Sequence, residues 1–266
     1  MSEVYRVTFI PTMRLLQCLA AAALMLMSTF TVADCELKVG WEPWKPYSYL
    51  DEEGALTGLD VVLVRAMAAE AGCAVSFERM PWGRLLESLR SGRDLQVVTG
   101  ASRIPEREAY AWFSEPYRDE TMQLFMRRED LARYDFARFE DMIGSGFRLG
   151  TARNFFYGDA FLEVMENPQF RGLMEEVNTD LQNILKLEAG RIDGFLADQF
   201  VAARLIREHG PTGWIQAHPM AVNSDRIHLM FSKNAVSQDT VQKFNEALEA
   251  LKRSGEYDQI LSSYLN

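Results

Sequence analysis

Residues 35–80 read CELKVGWEPWKPYSYLDEEGALTGLDVVLVRAMAAEAGCAVSFERM, and the order of short β-rich and helical segments along this stretch decides the fold. Leu37 to Trp41 is a strand-like run. A loop rich in Pro and aromatic residues leads to Asp60, which reads as an N-cap, and Val61 to Ala71 carries helical periodicity until Gly72 stops it. Ala74 to Met80 is a second strand-like run. Leu85, Leu86 and Leu89 then share one helix face ending at Gly92, and Leu95 to Thr99 gives a third strand. Short β runs alternating with helical periods are the pattern of a parallel α/β sheet.

The same succession restarts downstream. Strand Arg148 to Thr151, helix Gly158 to Glu166, strand Leu173 to Asn178, helix Leu181 to Glu188 stopped by Gly190, and strand Ile192 to Ala197 make a second unit with no residue-level repeat of the first. Two extended apolar runs, Met122 to Met126 and Ile227 to Phe231, lie between and after these units and are the candidate hinge strands. The helices expected at Thr240 to Arg253 and Tyr257 to Tyr264 then return to the first unit. The expected organisation is two lobes, one discontinuous (34–121 and 226–266) and one continuous (122–225).

The N-terminus points to export. Leu15 to Met27 is an apolar stretch of h-region length, preceded by Arg14 and followed by the small-residue pattern Thr31-Val32-Ala33, so residues 1–33 read as a secretory signal peptide, with Met13 an alternative start. Asp34 is not the small residue that lipidation of Cys35 would expect. Removal of the signal takes Cys18 with it. Cys35 and Cys73 are left as an even pair in an oxidising compartment, each preceding a strand-like run, and a disulfide between them is expected; two free buried thiols are the other reading. About 233 residues remain, enough for two lobes with their own cores. The formal net charge of −10 argues against a nucleic-acid partner, whose phosphates call for a basic face.

Several side chains stand where ligands of α/β folds bind. Asp198 ends the apolar strand Gly194 to Ala197, and a carboxylate at a strand's carboxyl end faces the crevice; capping the helix from Gln199 is its structural alternative. Trp44, Tyr47 and Trp82 follow strand ends and offer rigid ring walls, with core packing as the plainer role. Glu42 is placed to meet an amino or basic group, or to stay a solvated loop residue.

Gly58-Leu59-Asp60, Trp82, the run Thr99-Gly100-Ala101-Ser102-Arg103-Ile104-Pro105-Glu106-Arg107, the run Phe113-Ser114-Glu115-Pro116-Tyr117, Gly190-Arg191-Ile192-Asp193-Gly194 and Ala197-Asp198 occur in this order. Together they resemble the family 3 extracellular solute-binding proteins of amino-acid ABC transporters, from about Leu37 to the C-terminus. The resemblance implies a type II periplasmic binding fold: two α/β lobes, a two-strand hinge and a cleft between the lobes. It further implies a monomer that captures a small amino-acid-like ligand, delivers it to an inner-membrane ABC permease, and uses no cofactor. By the same resemblance Arg107 clamps the ligand's α-carboxylate, with Ser102 and the Gly100 backbone beside it, and Asp198 pairs with the α-ammonium. The physical reason is sound, since a guanidinium fork matches both carboxylate oxygens and Pro105 with Glu106 starts the helix that aims it. A surface Arg107 paired to Glu106 or Glu108 is the alternative. In the second lobe, Arg153, Asn154 and Phe155 occupy the loop whose backbone N–H groups would complete the anion site. Asn154 and Phe155 replace the small residues usual there, Ile104 a common threonine and Val62 a common aspartate, which leaves the ligand open.

Enzyme readings find little support. His209, His218 and His228 are scattered, so no metal site is expected, and no nucleophile elbow, P-loop or dinucleotide fingerprint is present. Two alternatives share the scaffold. One is a cyclohexadienyl dehydratase-like enzyme using Glu42 or Asp198 as its acid, and the other a sensor subunit that docks the same ligands onto a receptor.

Overall fold

The computed structural model describes residues 35–209 and 213–265. The signal-peptide reading, the alternative start and Cys18 lie outside the described residues.

The chain opens with β1 (Cys35–Trp41), the hairpin strands β2 (Tyr49–Leu50) and β3 (Leu56–Thr57), α1 (Leu59–Glu70), β4 (Cys73–Arg79), α2 (Trp82–Ser91) and β5 (Val97–Ser102). The expected strand–helix–strand–helix–strand unit is therefore present. One assignment changes: Gly58 rather than Asp60 is the N-cap of α1, and Asp60 sits in the first helical turn. The cause is tertiary. Gly58 has φ 118°, and a Cβ there would lie 2.3 Å from the Tyr47 carbonyl, so the chain can enter the helix only through glycine. The Asp60 carboxylate is drawn instead to Arg118, a residue distant in sequence.

After α3 (Pro105–Glu108) and β6 (Ala111–Phe113) comes the long β7 (Arg118–Arg127). The second unit follows as β8 (Leu149–Ala152), α4 (Asp159–Val164), α5 (Pro168–Arg171), β9 (Met174–Val177), α6 (Asp180–Glu188), β10 (Gly194–Asp198) and α7 (Gln199–His209). The chain closes with β11 (Ile215–Ser232), α8 (Gln238–Ser254) and α9 (Glu256–Leu265). Local chemistry fixes these boundaries. Thr179 and Gln182 form a capping box at the start of α6, the Ser237 hydroxyl accepts from the Thr240 N–H at the start of α8, and Gly255 ends α8 in the left-handed region.

Main-chain pairing runs through one strand order, β4-β1-β5-β11-β7-β10-β8-β9, with β6 on β11. The β1–β4, β1–β5, β8–β9 and β8–β10 pairs are parallel, whereas β7 and β11 run antiparallel to their neighbours. Of the two expected hinge runs, Met122–Met126 pairs with β10 and Ile227–Phe231 with β5 and β6. Between them Arg118, Asp119, Glu120 and Thr121 pair with Ile227, Arg226, Asp225 and Ser224, part of the ladder that joins β7 to β11.

Each unit is covered on both faces. In the first, Leu59, Leu63 and Met67 of α1 pack with Phe244 and Leu248 of α8 on one side, while Leu85 and Leu89 of α2 meet Val98 and Met230 on the other. In the second, β10 alternates: Phe195 and Ala197 join Ile184 and Leu187, and Leu196 joins the aromatic cluster of Phe139, Phe147, Phe161 and Phe170. Each such buried Leu or Phe contributes about 1.5–3 kcal/mol relative to exposure, which makes these faces the main source of stability. The expected disulfide is present: Cys35 and Cys73 face each other across the β1–β4 register and are bonded over a separation of 38 residues.

Candidate functional site

A small cavity of about 40 Å³ lies where the carboxyl ends of β1 and β5, the N-terminus of α2, the inner face of β7 and the loop after β8 converge. Trp41, Glu42, Trp44, Trp82, Gly100, Ser102, Arg107, Glu120, Met122, Phe155 and Phe156 are among its walls. Seven of these belong to the residues singled out from the sequence: Glu42, Trp44, Trp82, Gly100, Ser102, Arg107 and Phe155.

Arg107 is the cation of the wall. The segment that carries it leaves β5 at Ser102, turns at Ile104 and enters the short α3 through Pro105, which sets the helix start and aims the guanidinium back over the strand end. Arg107 is 5 % exposed. One η-nitrogen donates to the Ser102 carbonyl at 3.1 Å and the other to the Asn154 carbonyl at 3.1 Å, and the group lies 5.4 Å from the Trp82 ring centre. Among the described residues no carboxylate lies within ion-pairing distance of it; Glu108 pairs with Arg103 instead. Burial lowers its pKa from the ordinary value. A buried guanidinium served only by carbonyls keeps a charge that an anion is chemically suited to balance.

The acids outnumber it. Glu42 receives the Trp82 backbone N–H at 2.9 Å, and burial pushes its pKa up to about 7 against that bond. Asp60 is tied by Arg118 (Nε–Oδ1 2.8 Å, Nη2–Oδ2 3.4 Å) in a pair withdrawn from solvent. Burial acts to lower Arg118, but Asp60, Tyr117, Tyr47 and Glu120 together outweigh it and hold the guanidinium above its ordinary range. Glu120, on the hinge segment of β7, is buried with Oε1 unpartnered; desolvation, helped by Asp198, Asp60 and Asp225 and opposed by Arg118, pushes it up to about 8. Asp180, at the first turn of α6, accepts from the Trp44 indole N–H at 3.1 Å, and burial raises it to about 7.

The aromatic wall crosses the cleft. Phe155 meets Trp44 edge-on at 5.9 Å and Trp82 at 6.4 Å, and the Trp82 indole N–H donates to the Asn154 carbonyl at 3.1 Å. Asn154 presents that carbonyl from a left-handed backbone (φ 64°), which asparagine tolerates better than most residues.

Other sequence candidates stand off the wall. Tyr47 is fully buried behind Trp44, its ring 5.0 Å away, and its hydroxyl donates to Asp198 Oδ1 at 3.1 Å. Asp198 is 0 % exposed, and Oδ1 also accepts from the Phe200 and Val201 N–H groups at 3.0 Å, so it caps α7, while Oδ2 is buried without a partner. Arg153 is exposed and turned to Asn178 and Glu176. Sequence reading did not single out Glu120, Met122, Asp180, Arg118 or Phe156. The signal for the first was present: Arg118 and Glu120 are charged residues at the inward parity of a strand whose later inward residues, Met122 and Leu124, are apolar. His218 and His228 are bound to the Tyr134 and Ser114 carbonyls, and no group of three or more His, Cys, Asp or Glu among the described residues is placed to hold a metal ion.

The chain is similar to known proteins. The "Arginine-binding periplasmic protein" of Mannheimia haemolytica is similar to the chain at 24 % identity over 242 residues, covering 91 % of this chain and 96 % of that one. Among solved structures, a histidine kinase sensor domain similar to periplasmic binding proteins superposes with TM-score 0.76 (22 % identity, 88 % and 96 % coverage). The ancestral amino acid-binding protein AncCDT-1, a precursor of cyclohexadienyl dehydratase, does so with TM-score 0.71 (21 %, 87 % and 96 %). The fold is that of the type II periplasmic binding proteins, with two α/β lobes, a two-strand connection and the cavity between them. With a family model matched over residues 37–266, the chain belongs to the bacterial extracellular solute-binding proteins, family 3.

Proposed function

We propose that the protein is an exported solute receptor that captures a small α-amino acid in this cleft and delivers it to an inner-membrane ABC permease. The observation that carries the reading is Arg107, a buried guanidinium on the cavity wall with two carbonyl partners and no acid. An α-carboxylate would exchange those carbonyls for a bidentate anion, with the Ser102 hydroxyl and the Thr99–Gly100 strand end beside it. The lobes are 34–121 with 226–266, and 122–225, and residues 1–33 are the signal peptide that brings the chain to the periplasm. Closure turns on the 118–121 and 224–227 pairs.

Bonds from one lobe to the other support a closed form. Trp82 reaches the Asn154 carbonyl, Trp44 reaches Asp180, and Tyr47 reaches Asp198. A ligand touching both lobes favours this form by as much as its contacts differ between open and closed states. In this reading Asp198 acts by fixing Tyr47 and the start of α7 across the interface.

The test is thermal unfolding of the protein, first unfolded and refolded to strip carried ligand, against α-amino acids, opines, polyamines and small organic acids. An α-amino acid raises the melting temperature; at a hundredfold excess over Kd linkage supplies about 2.7 kcal/mol. Silence from every α-amino acid overturns the reading. The cleft carboxyls that stay protonated near neutral pH also suit a dehydratase, which needs an acid to expel water. Turnover of prephenate in the same samples would favour that second reading.

A further inference from the structure

We propose that Glu120 is the specificity-determining residue of the cleft: it seats a second positive charge on the ligand, so the site selects amino acids with cationic side chains over neutral ones of the same shape. The inference rests on the reading of the cleft as an amino-acid site with Arg107 as its carboxylate clamp.

Glu120 is 6 % exposed, lines the cavity, and has one carboxyl oxygen, Oε1, buried without a hydrogen-bond partner. A carboxyl stripped of water is strongly disfavoured unless something donates to it. The neighbouring cation acts on it through charge alone and donates no hydrogen bond to it. Arg118, two residues earlier on the same face of β7, commits its fork to Asp60 and its remaining η-nitrogen to the Asp119 carbonyl. The groups on the other elements are no better suited: Asp225 pairs with Glu120 across the β7–β11 ladder, Asp198 on β10 is itself an acid, and the Tyr47 hydroxyl already donates to Asp198. Among the described residues no group donates to Oε1, and Glu120 itself lines the cavity.

Charge balance over the wall leads to the same ligand. Glu42, Asp60 and Glu120 face Arg107. Asp60 is neutralised from behind by Arg118, and a ligand carboxylate neutralises Arg107. Glu42 and Glu120 remain, two carboxyls for which the α-ammonium supplies one positive charge. A side-chain guanidinium or ammonium supplies the other. A neutral side chain leaves one buried acid protonated and unpaired.

Calorimetric titration of the refolded protein with arginine and citrulline, which match in shape and differ in side-chain charge, reads this directly. Arginine is expected to bind at least tenfold more tightly than citrulline. Glu120→Gln is expected to remove most of that ratio while leaving citrulline binding within about threefold, whereas Glu42→Gln leaves a preference for arginine. A wild-type ratio near one, a ratio that survives Glu120→Gln, or a ratio that collapses only in Glu42→Gln overturns the assignment. Should Glu120→Gln fail to fold, the wild type still decides: at pH 7 arginine releases more protons than citrulline, seen as a difference in heat between buffers of unlike ionisation enthalpy, and equal release overturns the proposal. Tight binding of a neutral α-amino acid that Arg107→Ala weakens would sink the role of Glu120 alone; absence of binding by any α-amino acid would sink the underlying reading with it.

Discussion

Three carboxyls in and beside the cleft hold their protons to unusually high pH because burial has removed the water that would stabilise their anions: Glu42 to about 7, Asp180 to about 7 and Glu120 to about 8. The unfolded chain releases those protons near the ordinary carboxylate values, so between there and pH 8 the folded form binds more protons than the unfolded one. Stability then falls as pH rises through this window. The buried His228, lowered from its ordinary 6.5 by desolvation, gives the opposite slope, but only below that value. Thermal melts of the ligand-free protein should therefore show a melting temperature that declines from pH 6.5 to 8.5, with a shallower decline in Glu120→Gln. A flat or rising profile would contradict the burial of these groups. At this scale the sequence was legible where chemistry is local. Arg107 and Ser102 stand in one continuous run, and both line the cavity; Glu120 carries only the parity signal in the sequence, and Asp198 and Asp225 reach it through sheet pairing.

Among the elements, the strands and helices of both units fall close to where periodicity and stop signals put them, since Gly92 and Gly255 end helices by conformations that glycine adopts at low cost. Asp60 marks the limit of that reading. Its position two residues past Gly58 looks like a cap, and only the folded chain brings Arg118 across to it. The pair joins the start of α1 to the first residue of β7, so it also braces the segment on which the lobes would turn. Asp60→Asn leaves Arg118 as a buried uncompensated cation and should lower unfolding stability by about 3–5 kcal/mol in urea titration. Replacing both partners with apolar residues, as in Asp60→Leu with Arg118→Met, should recover much of the loss. A loss under about 1 kcal/mol for Asp60→Asn would show that the pair is not buried as described.

On the scale of the molecule, one strand order passes through two α/β units, and Glu120 lies in the β7–β11 ladder that joins them. In the proposed reading, binding and lobe position fall on the same short segment. The two-unit architecture was readable from alternating periodicities, but the closure contacts were not: Trp44 to Asp180 and Trp82 to Asn154 join residues 136 and 72 positions apart with no local signal. The account depends most on Arg107 as the group that receives the ligand's carboxylate. Titration of wild type and Arg107→Ala with whichever α-amino acid most stabilises the refolded protein tests it most directly. A ten- to hundredfold loss of affinity, about 1.5–3 kcal/mol for a charged hydrogen-bonded contact, is the predicted result. Binding at full strength in Arg107→Ala would contradict it.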